Sequence, residues 1–452
     1  MNKYDVIIIG GSAAGLTAGI TARRHYPDKS ILLIREEKQV PIPCGIPYIF
    51  GTVGSPEKNL IADGVYEKNK IELKIDTVTS IDKEKKEIQV GNETIGYEKL
   101  ILATGSLPVR PNLPGIDKQG VFAIYKNVDY LKAMQAYLQD AKNVVIVGGG
   151  FIGIEFADEI QKNGDKEVTV VEIGAHCLNL AYDEEFSIQM EDYIQSRGVK
   201  IKTAAKVEAI LGEANVTGVQ LSDGTQLPAD AVILGIGAAA NVELAEKAGL
   251  TIGKSGAVVV DRTMKTSDSS IFACGDCAKK WTFFGGHASS LRLASIATLE
   301  ARIAGANLFG IKRENVGTIG VWSTAVANLA MATAGLTETM AKQAGYETVS
   351  ATIQGPNRHP GCMPGMAQNT LKMVFEANSG VLLGGQVSGD AAAGEMINII
   401  SACIQGHMTA EQIAMFQTGT HPALTASPIA YPLVNAAEEA IRMMKLKKEK
   451  AS

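Results

Sequence analysis

Apolar runs that lead into glycine clusters dominate the hydrophobic pattern of the chain. Tyr4 to Ile9 is almost continuously apolar, and Val144 to Val147 repeats the pattern. Each run is followed by a glycine cluster, a helical stretch and a second apolar run, Ser30 to Ile34 in the first case and Val168 to Val171 in the second. Strands buried on both faces of a parallel sheet have continuous runs of this kind. The pattern predicts two strand–helix–strand units and an α/β fold.

The glycine clusters indicate what these units bind. They read Gly10-Gly11-Ser12-Ala13-Ala14-Gly15 and Gly148-Gly149-Gly150-Phe151-Ile152-Gly153. Glycines at such a turn let backbone N–H groups approach a pyrophosphate at the start of the helix. A carboxylate after the second strand binds a ribose, and we predict Glu36 for the first unit, with Arg35 as the other register, and Glu172 for the second. Two such motifs in one chain predict two dinucleotide sites.

Further apolar runs end in small-residue turns that would reach the same sites. Leu100 to Gly105 contains Ala103 and Thr104, Ala231 to Gly237 has a similar design, and Ser270 to Asp276 places an aspartate after a strand and a glycine. Past about residue 325 the glycine motifs stop. Strand-like and helical stretches then alternate, such as Thr370 to Phe375 and Ala391 to Gln405, and predict a separate α+β domain.

Composition narrows the class of protein. The chain has 452 residues, enough for two or three domains, and its formal net charge of -5 gives no reason to expect a nucleic-acid partner. We expect no signal peptide and no membrane partner, since the first apolar run is a strand and none is long enough to span a bilayer. The six cysteines form no dense disulfide pattern, which predicts reduced thiols in the cytoplasm.

Cys44 is the candidate reactive residue. It stands between Pro43 and Pro47 in a rigid stretch just past the second strand. We predict a helix beginning near Gly45, whose N-terminal dipole would favour the thiolate. The alternative is an ordinary buried apolar cysteine.

Taken together, the paired motifs, Ala103-Thr104-Gly105, Cys274-Gly275-Asp276 and Cys44 resemble the FAD- and NAD(P)-dependent pyridine nucleotide–disulfide oxidoreductases. The resemblance implies an FAD-binding domain made of residues 1–115 and 255–325, an NAD(H)-binding domain at 116–254 and a C-terminal dimerisation domain at 326–452. It also implies a homodimer.

The same resemblance assigns cofactor residues. For FAD they are Gly10, Ser12, Ala13, Ala14, Gly15, Arg35 or Glu36, Ala103, Thr104, Gly105, Gly275, Asp276, Leu293 and Ala294. For NADH they are Gly148, Gly150, Ile152, Gly153 and Glu172, and Gly237 is a further cofactor residue. Because Glu172 is an acid with no arginine just after it, NADH is favoured over NADPH. Glu155 matches a family carboxylate near the nicotinamide and the flavin, although an exposed helix glutamate is the alternative.

Three details indicate a subclass of the family. The position five after Cys44 is Ile49, so no internal redox disulfide forms there, and the resemblance is to the single-cysteine members. The oxidases and peroxidases of the family carry a histidine in the first glycine loop. This chain has Ala13 at that position, as the coenzyme A disulfide and sulfur reductases have an alanine there. Arg23 and Arg24 resemble a pair that meets the phosphates of coenzyme A, the alternative being a solvated helix face.

Other positions depart from the family pattern. His421-Pro422 resembles the His-Pro of two-cysteine members, but the supporting glutamate is replaced by Ala426, and Tyr431 is the only tyrosine nearby. The family's Tyr-Tyr-Pro-Gly is replaced by Cys362-Met363-Pro364-Gly365. The proton donor therefore stays open between His421 and Tyr431. Cys274 and Cys277 have CxxC spacing, but we expect a structural role and no metal site, because no second pair completes four ligands.

These features predict an enzyme that passes electrons from NADH through FAD to Cys44 and reduces a small sulfur substrate. That substrate would be coenzyme A disulfide, a persulfide or a polysulfide, so coenzyme A is a possible further ligand. The first alternative is an NADH oxidase that uses oxygen as acceptor. The second is an electron transferase that serves a redox protein such as rubredoxin, and a redox sensor is the weakest alternative.

Overall fold

The computed structural model describes residues 2–451 and divides into two compact units. The first unit holds the chain up to Lys142 together with Ala209–Gly218 and Pro228–Thr318. The second holds Asn143–Glu208, Val219–Leu227 and the chain from Ile319 onward. None of the helices in the described part of the chain is both long and apolar enough to cross a membrane.

The first 142 residues begin with a mixed sheet. Its strands, and two short strands after it, are β1 (Asn2–Ile9), β2 (Ile31–Arg35), β3 (Glu72–Ile75), β4 (Val78–Asp82), β5 (Glu87–Val90), β6 (Glu93–Leu102), β7 (Ser106–Pro108) and β8 (Val121–Ala123). The helices are α1 (Ala13–His25), α2 (Gly64–Lys68) and α3 (Val128–Asp140). The strand order is β3-β2-β1-β6-β5-β4, and β1 runs parallel to both β2 and β6. The side chains of Val6 to Ile8 alternate between the two faces of the sheet and are all fully buried. Both faces are therefore covered at β1, which explains the continuous apolar run.

The next segment contains the second glycine motif. Its elements are β9 (Asn143–Val147), α4 (Phe151–Gln161), β10 (Glu167–Val171), α5 (Glu184–Ser196), β11 (Lys200–Lys202), β12 (Val207–Leu211), β13 (Gly218–Leu221), β14 (Gln226–Pro228), β15 (Ala231–Leu234), β16 (Ala238–Ala240) and α6 (Glu243–Lys247). In the second unit β10 pairs in parallel with β9 and β11, and α4 packs on β9 and β10. In the first unit β15 pairs in parallel with β8, and β16 pairs with β7.

The chain then returns to the first sheet. The elements are β17 (Ile271–Ala273), β18 (Lys280–Trp281), β19 (Ala288–Ser289) and α7 (Ala294–Asn307). β17 pairs in parallel with β6, and α7 packs along α1. Gly305 explains how closely these helices approach, because a Cβ there would lie about 2.5 Å from the carbonyl oxygen of Ala18. The two segments that are far apart in sequence therefore build one layer.

The C-terminal segment forms an antiparallel sheet with helices. Its elements are β20 (Val321–Val326), β21 (Leu329–Gly335), α8 (Glu338–Gln343), β22 (Thr348–Pro356), β23 (Gln368–Glu376), β24 (Leu382–Gly389), α9 (Ala393–Gln405), α10 (Ala410–Ala414) and α11 (Pro432–Ala451). The strand order is β20-β21-β24-β23-β22. α9 packs on β21 and β24, and α11 packs on β22. The predicted strand around residues 370–375 and helix around residues 391–405 are both present.

Candidate functional site

The first glycine turn is shaped by two positions at which only glycine fits. Gly10 has a φ of 114°, and a Cβ there would collide with the carbonyl oxygen of Ala103. A Cβ on Gly15 would collide with the carbonyl oxygen of Gly10. Ser12 caps α1 with extended backbone, and its side chain makes no capping hydrogen bond in the described structure. The turn thus brings the start of α1 close to the end of β1, which leaves a cradle of backbone that fits a pyrophosphate.

The second glycine turn has the same construction. A Cβ on Gly153 would collide with the carbonyl oxygen of Gly148, and Gly148 has a φ of 106°. Glu172 follows β10 directly, and its carboxylate accepts hydrogen bonds of 2.6 Å each from the N–H groups of Gly149 and Gly174. Gly150 caps α4 and has open space beside it, while Ile152 is partly exposed. The structure therefore places Glu172 at the turn, where a ribose carboxylate belongs.

The register of the first motif differs from our preferred assignment. Gly10 donates a hydrogen bond of 2.8 Å to the carbonyl of Ile34, just as Gly148 donates one of 2.8 Å to Val171. The residue equivalent to Glu172 is therefore Arg35, while Glu36 lies one position further on and is exposed. β2 runs one residue beyond the apolar run, because the guanidinium of Arg35 is neutralised by Asp63 at 2.8 Å and can be buried.

Asp276 lies in a 3₁₀ turn, Gly275–Cys277, at the end of β17. Its Oδ2 accepts a hydrogen bond of 2.7 Å from the hydroxyl of Ser106, and the Lys126 ammonium lies 3.5 Å away. Gly275 has a φ of 77°, and a Cβ there would come within 2.8 Å of the Ala14 side chain. The end of β17 thus lies beside the first glycine turn, and the contact of Asp276 with FAD stays a prediction.

A buried ion pair between Lys280 and Glu300 stabilises the Gly275–Cys277 turn. Lys280 and Glu300 are almost inaccessible and lie 2.9 Å apart, and Glu300 also accepts a hydrogen bond of 2.9 Å from the N–H of Gly275. Burial raises the pKa of Glu300, although the Lys280 ammonium and the Gly275 N–H lower it. The Lys280 ammonium also donates to the carbonyls of Gly275 and Ala278. The hydrophobic pattern does not reveal this pair, although Lys280, four residues after Asp276, was a visible signal.

The remaining residues assigned to FAD lie in the same unit. Leu293 is the extended N-cap of α7, and Ala294 is its first residue. Thr104 donates a hydrogen bond of 2.7 Å to the carbonyl of Asn241, and Gly105 has a φ of 71°. Gly237 is exposed, with a φ of 96°. Ala103 supplies the carbonyl that lies against Gly10, so the end of β6 lies beside the first glycine turn. Gly237, the further cofactor residue, belongs to the same unit.

The loop that carries Cys44 is built from two 3₁₀ turns rather than the predicted helix. The turns are Pro43–Gly45 and Pro47–Phe50. Ile46 bonds to the carbonyl of Pro43, three residues back, and Pro47 has no N–H to continue an α-helical ladder. The helix expected near Gly45 is therefore wrong, and so is the dipole argument for the thiolate. Cys44 is exposed, which excludes the buried-cysteine alternative.

Asn59 holds the Cys44 loop in place. This buried side chain donates a hydrogen bond of 2.9 Å to the carbonyl of Ile42, and the Ile42 N–H bonds at 2.9 Å to the Asn59 carbonyl. Gly45 is required beside it, because a Cβ there would collide with the Asn59 carboxamide. The role of Asn59 is not visible in the sequence, since nothing in the pattern links this polar residue to a loop fifteen positions earlier.

Removing this support should loosen the reactive loop. We expect Asn59→Ala to lower stability by about 0.5–1.5 kcal/mol, because it removes the hydrogen bond from the Asn59 carboxamide to the Ile42 carbonyl. The rate at which Cys44 reacts with a thiol reagent should change, whereas the rate of flavin reduction by NADH should not. Both rates can be followed spectroscopically. An equal fall in both rates would mean that Asn59 acts on the whole unit and not on the loop.

Glu155 belongs to the second unit and lies on α4. Its side chain is buried, and its Oε1 accepts a hydrogen bond of 2.9 Å from the hydroxyl of Thr324 on β20. Burial raises its pKa to about 7, although the Thr324 bond lowers it. The Tyr182 hydroxyl is also buried, and its own pKa is raised by burial and by Glu155. The structure excludes the exposed-glutamate alternative and leaves a carboxyl that titrates near neutral pH.

This raised pKa predicts a pH effect on stability. The ordinary pKa is 4.5, so the folded protein keeps Glu155 neutral up to a pH of about 7 whereas the unfolded chain ionises it. The stabilisation is complete below pH 4.5 and is lost as the pH rises through 7. We expect Glu155→Gln to gain up to about 3 kcal/mol relative to the wild type between acidic and basic pH. Parallel changes in the two melting temperatures across this range would contradict the assignment.

The C-terminal candidates are on the surface of the second unit. Cys362 is exposed, in the connection between β22 and β23. His421 is also exposed, and its Nδ1 accepts a hydrogen bond of 3.2 Å from the N–H of Ala423, which leaves Nε2 available. Tyr431 is half-buried, and burial raises its pKa. The choice of proton donor between these side chains stays a prediction.

Two other predictions concern arginines and cysteines. Arg23 donates to four backbone carbonyls, those of Pro27, Lys29, Asn69 and Lys70, and so fixes the end of α1. Only Arg24 of the pair is exposed. Cys274 and Cys277 are buried as separate thiols, and burial raises the pKa of both. The CxxC spacing has a packing role in this structure, since the Cys277 thiol contacts the carbonyl of Leu102.

Comparison with known proteins finds a matching family and similar relatives. Residues 4–301 match the family described as pyridine nucleotide-disulphide oxidoreductase, and residues 321–429 match its dimerisation domain. The chain is 30% identical over 450 residues to a Methanocaldococcus jannaschii protein named NADH oxidase, covering 97% of this chain and 99% of the relative. It is 31% identical to a Pyrococcus horikoshii protein named NAD(P)H coenzyme A polysulfide/persulfide reductase, covering 86% of this chain and 88% of the relative.

A solved structure agrees with these relatives. The NAD-dependent persulfide reductase from A. fulgidus is 30% identical, with a TM-score of 0.90, over 98% of this chain and 84% of that chain. The predicted fold class, two Rossmann-like dinucleotide-binding domains and a C-terminal α+β dimerisation domain, is confirmed. So is the prediction that the protein is an oxidoreductase enzyme. The two glycine turns, the Gly275-Asp276 turn and the matches along the chain show that it belongs to the pyridine nucleotide-disulphide oxidoreductase family.

Proposed function

We propose that the protein is an FAD-dependent enzyme that uses NADH to reduce a sulfur–sulfur bond through Cys44. The observation that carries the proposal is the exposed Cys44 thiol on a clamped loop, with the buried side chain of Ile49 where a second redox cysteine would be. An exposed thiol can form a covalent link to an outside sulfur compound, and Ile49 cannot form the internal disulfide that a cysteine at its position would make.

The residues present fit both cofactors. The first turn, with Gly10, Gly15 and Asp276, would hold FAD, and the second, with Gly148, Gly153 and Glu172, would hold NADH. When bound, FAD supplies the two electrons that it takes from NADH. Asp276 would accept hydrogen bonds from a polyol chain, because it has a solvent-accessible edge beyond its bond to Ser106. Glu155 would keep a proton beside the nicotinamide, if its position matches that of its family counterpart.

Cys44 carries the substrate half of the cycle. Its thiolate attacks one sulfur of the substrate, a Cys44–sulfur bond forms, and the second substrate sulfur leaves as a thiolate that takes a proton. Two electrons then return the mixed disulfide or persulfide to the Cys44 thiolate and release the other sulfur fragment. His421 and Tyr431 are the candidates for supplying the proton.

The printed names of relatives support this class of substrate. The P. horikoshii relative is named for coenzyme A and for polysulfide or persulfide, and the A. fulgidus structure is titled a persulfide reductase. The M. jannaschii relative is named NADH oxidase, and this name favours oxygen as the second candidate acceptor. A redox protein such as rubredoxin is a third candidate, supported in kind by the similarity in fold to a putidaredoxin reductase captured with putidaredoxin.

The acceptor can be tested directly. Steady-state NADH consumption should be measured with coenzyme A disulfide, polysulfide, oxygen and rubredoxin, each offered in turn to the purified flavoprotein. We expect the highest kcat/KM with a sulfur acceptor. Faster turnover with oxygen alone would establish the oxidase in place of the reductase, and faster turnover with rubredoxin would establish the electron transferase.

Glu172 should set the choice of nucleotide. Its carboxylate is held by two backbone N–H groups, so it is positioned to accept from a ribose hydroxyl and to repel a 2′-phosphate. We expect kcat/KM for NADH to exceed that for NADPH by about tenfold or more, and Glu172→Ala to remove most of the difference. Glu208→Ala, at an exposed position of β12, is the matched control. A wild-type preference for NADPH would show that Glu172 does not contact the ribose.

Three further parts of the proposal concern partners and location. We propose a homodimer, supported by the match of residues 321–429 to a dimerisation domain. Coenzyme A binding is supported only by Arg24, because Arg23 is committed to backbone carbonyls. The cytoplasmic location and the boundaries of the three domains stay predictions.

A further inference from the structure

The first glycine motif lacks a carboxylate at the position where the second has one. The backbone hydrogen bonds from Gly10 to Ile34 and from Gly148 to Val171 make Arg35 the equivalent of Glu172. Glu172 binds its turn by accepting from the N–H of Gly149. An arginine accepts no hydrogen bond, so it can neither repeat this contact nor accept from a ribose hydroxyl.

Arg35 instead fixes the turn from the side. Its Cδ would lie only 2.5 Å from a Cβ on Gly11, so the aliphatic part of the side chain packs directly on the turn. Its Nη1 lies 3.4 Å from the Tyr66 hydroxyl, which donates a hydrogen bond of 2.8 Å to the carbonyl of Gly11. Both oxygens of Asp63 pair with Nη2. The guanidinium is fully covered, and no part of it is exposed to bind a cofactor.

The chain after Arg35 brings the backbone of Glu37 back to this place. The Nε of Arg35, one bond beyond the Cδ that packs on Gly11, donates a hydrogen bond of 2.9 Å to the carbonyl of Glu37. The backbone of Glu37 is therefore folded over the arginine stem, beside the turn. Its side chain is half-buried, and burial raises its pKa more than its own amide and Arg35 lower it. Glu36, between them, is exposed.

We propose that Glu37 supplies the carboxylate that accepts from the adenosine ribose of FAD, in place of the residue directly after β2. Arg35, Tyr66 and Asp63 then form the support that holds the turn and the Glu37 backbone. The inference rests on the proposed FAD site and adds which residue reads the ribose. A ribose hydroxyl would give the half-buried carboxylate a donor, and each such charge-assisted bond contributes substantially to affinity.

The test compares FAD with an analogue whose adenosine lacks both ribose hydroxyls. Full-length apoprotein is titrated with each flavin, and binding is followed by flavin fluorescence, so no turnover is needed. We expect the wild type to bind the analogue about 10- to 100-fold more weakly than FAD. Glu37→Ala should weaken FAD by a similar factor and should bind both flavins equally. Glu36→Ala is the matched control and should behave as the wild type.

Asp63→Asn separates the ribose contact from its support. It removes the charge opposite Arg35, so it should weaken both flavins by the same factor and lower the melting temperature. Equal binding of the two flavins by the wild type overturns the inference, as does a ribose-specific loss in Glu36→Ala or Asp63→Asn instead of Glu37→Ala. If the wild type binds neither flavin, the proposed function itself fails.

Discussion

Cys44→Ser is expected to abolish turnover with every sulfur acceptor, with a fall of roughly 10³-fold or more. A serine oxygen cannot form the sulfur–sulfur bond to the substrate, so no partial route through the same step exists. Reduction of the flavin by NADH should continue at the wild-type rate, because that step uses the cofactors and not the thiol. Electron delivery to a one-electron dye should continue for the same reason.

The chain offers a matched control for this variant. Cys362 is the other exposed cysteine, and Cys362→Ser should leave sulfur turnover unchanged unless this residue acts as a second thiol. Wild-type protein should also lose one titratable thiol with coenzyme A disulfide and recover it with NADH. If Cys44→Ser keeps robust sulfur turnover, Cys44 is structural and the proposed chemistry is wrong. If the Cys362 variant alone is inactive, the nucleophile is in the C-terminal segment.

A paired substitution should separate the two dinucleotide sites. Gly15 and Gly153 occupy equivalent places, and at each of them a Cβ would collide with the carbonyl oxygen of the first glycine of its own motif. Backbone atoms move aside less easily than side-chain atoms. Each alanine should therefore displace the start of its helix and strain the turn by roughly several kcal/mol. We expect Gly15→Ala to lose FAD, and Gly153→Ala to keep FAD while its KM for NADH rises at least about 100-fold.

Each variant serves as the control for the other. Flavin absorbance after purification reports the first site, and the rate of flavin reduction at increasing NADH concentration reports the second. Loss of flavin from Gly153→Ala, with retention in Gly15→Ala, would reverse the assignment of the two motifs.

The sequence could predict the roles of those residues that act on their close neighbours along the chain. Continuous apolar runs, glycine turns and the acid after β10 predicted both dinucleotide units, because a strand buried on two faces and a turn against a pyrophosphate each constrain neighbouring residues. The α+β character of the C-terminal segment was predicted in the same way, from the alternation of its strand-like and helical stretches. Ile49 likewise excluded an internal disulfide next to Cys44 by its position alone.

The errors have a common cause in contacts that are distant in sequence. β2 continues to Arg35 because Asp63, from another segment, neutralises a charge that the apolar pattern treats as the end of a strand. The helix expected after Cys44 is replaced by two 3₁₀ turns, since Pro47 cannot donate and Asn59 supplies hydrogen bonds from a later segment. Neither Asp63 nor Asn59 carries a local signal of its role.

By itself the sequence determined the two glycine turns and the order of the structural classes along the chain, and it singled out Cys44 as the candidate reactive cysteine. Only the tertiary structure decided which residue follows β2 at the turn, that Glu155 is buried against Thr324, and that Arg23 is used by backbone carbonyls. The physical reason is that burial, charge compensation and pKa depend on what packs around a side chain. Those neighbours come from segments that meet only when the chain has folded.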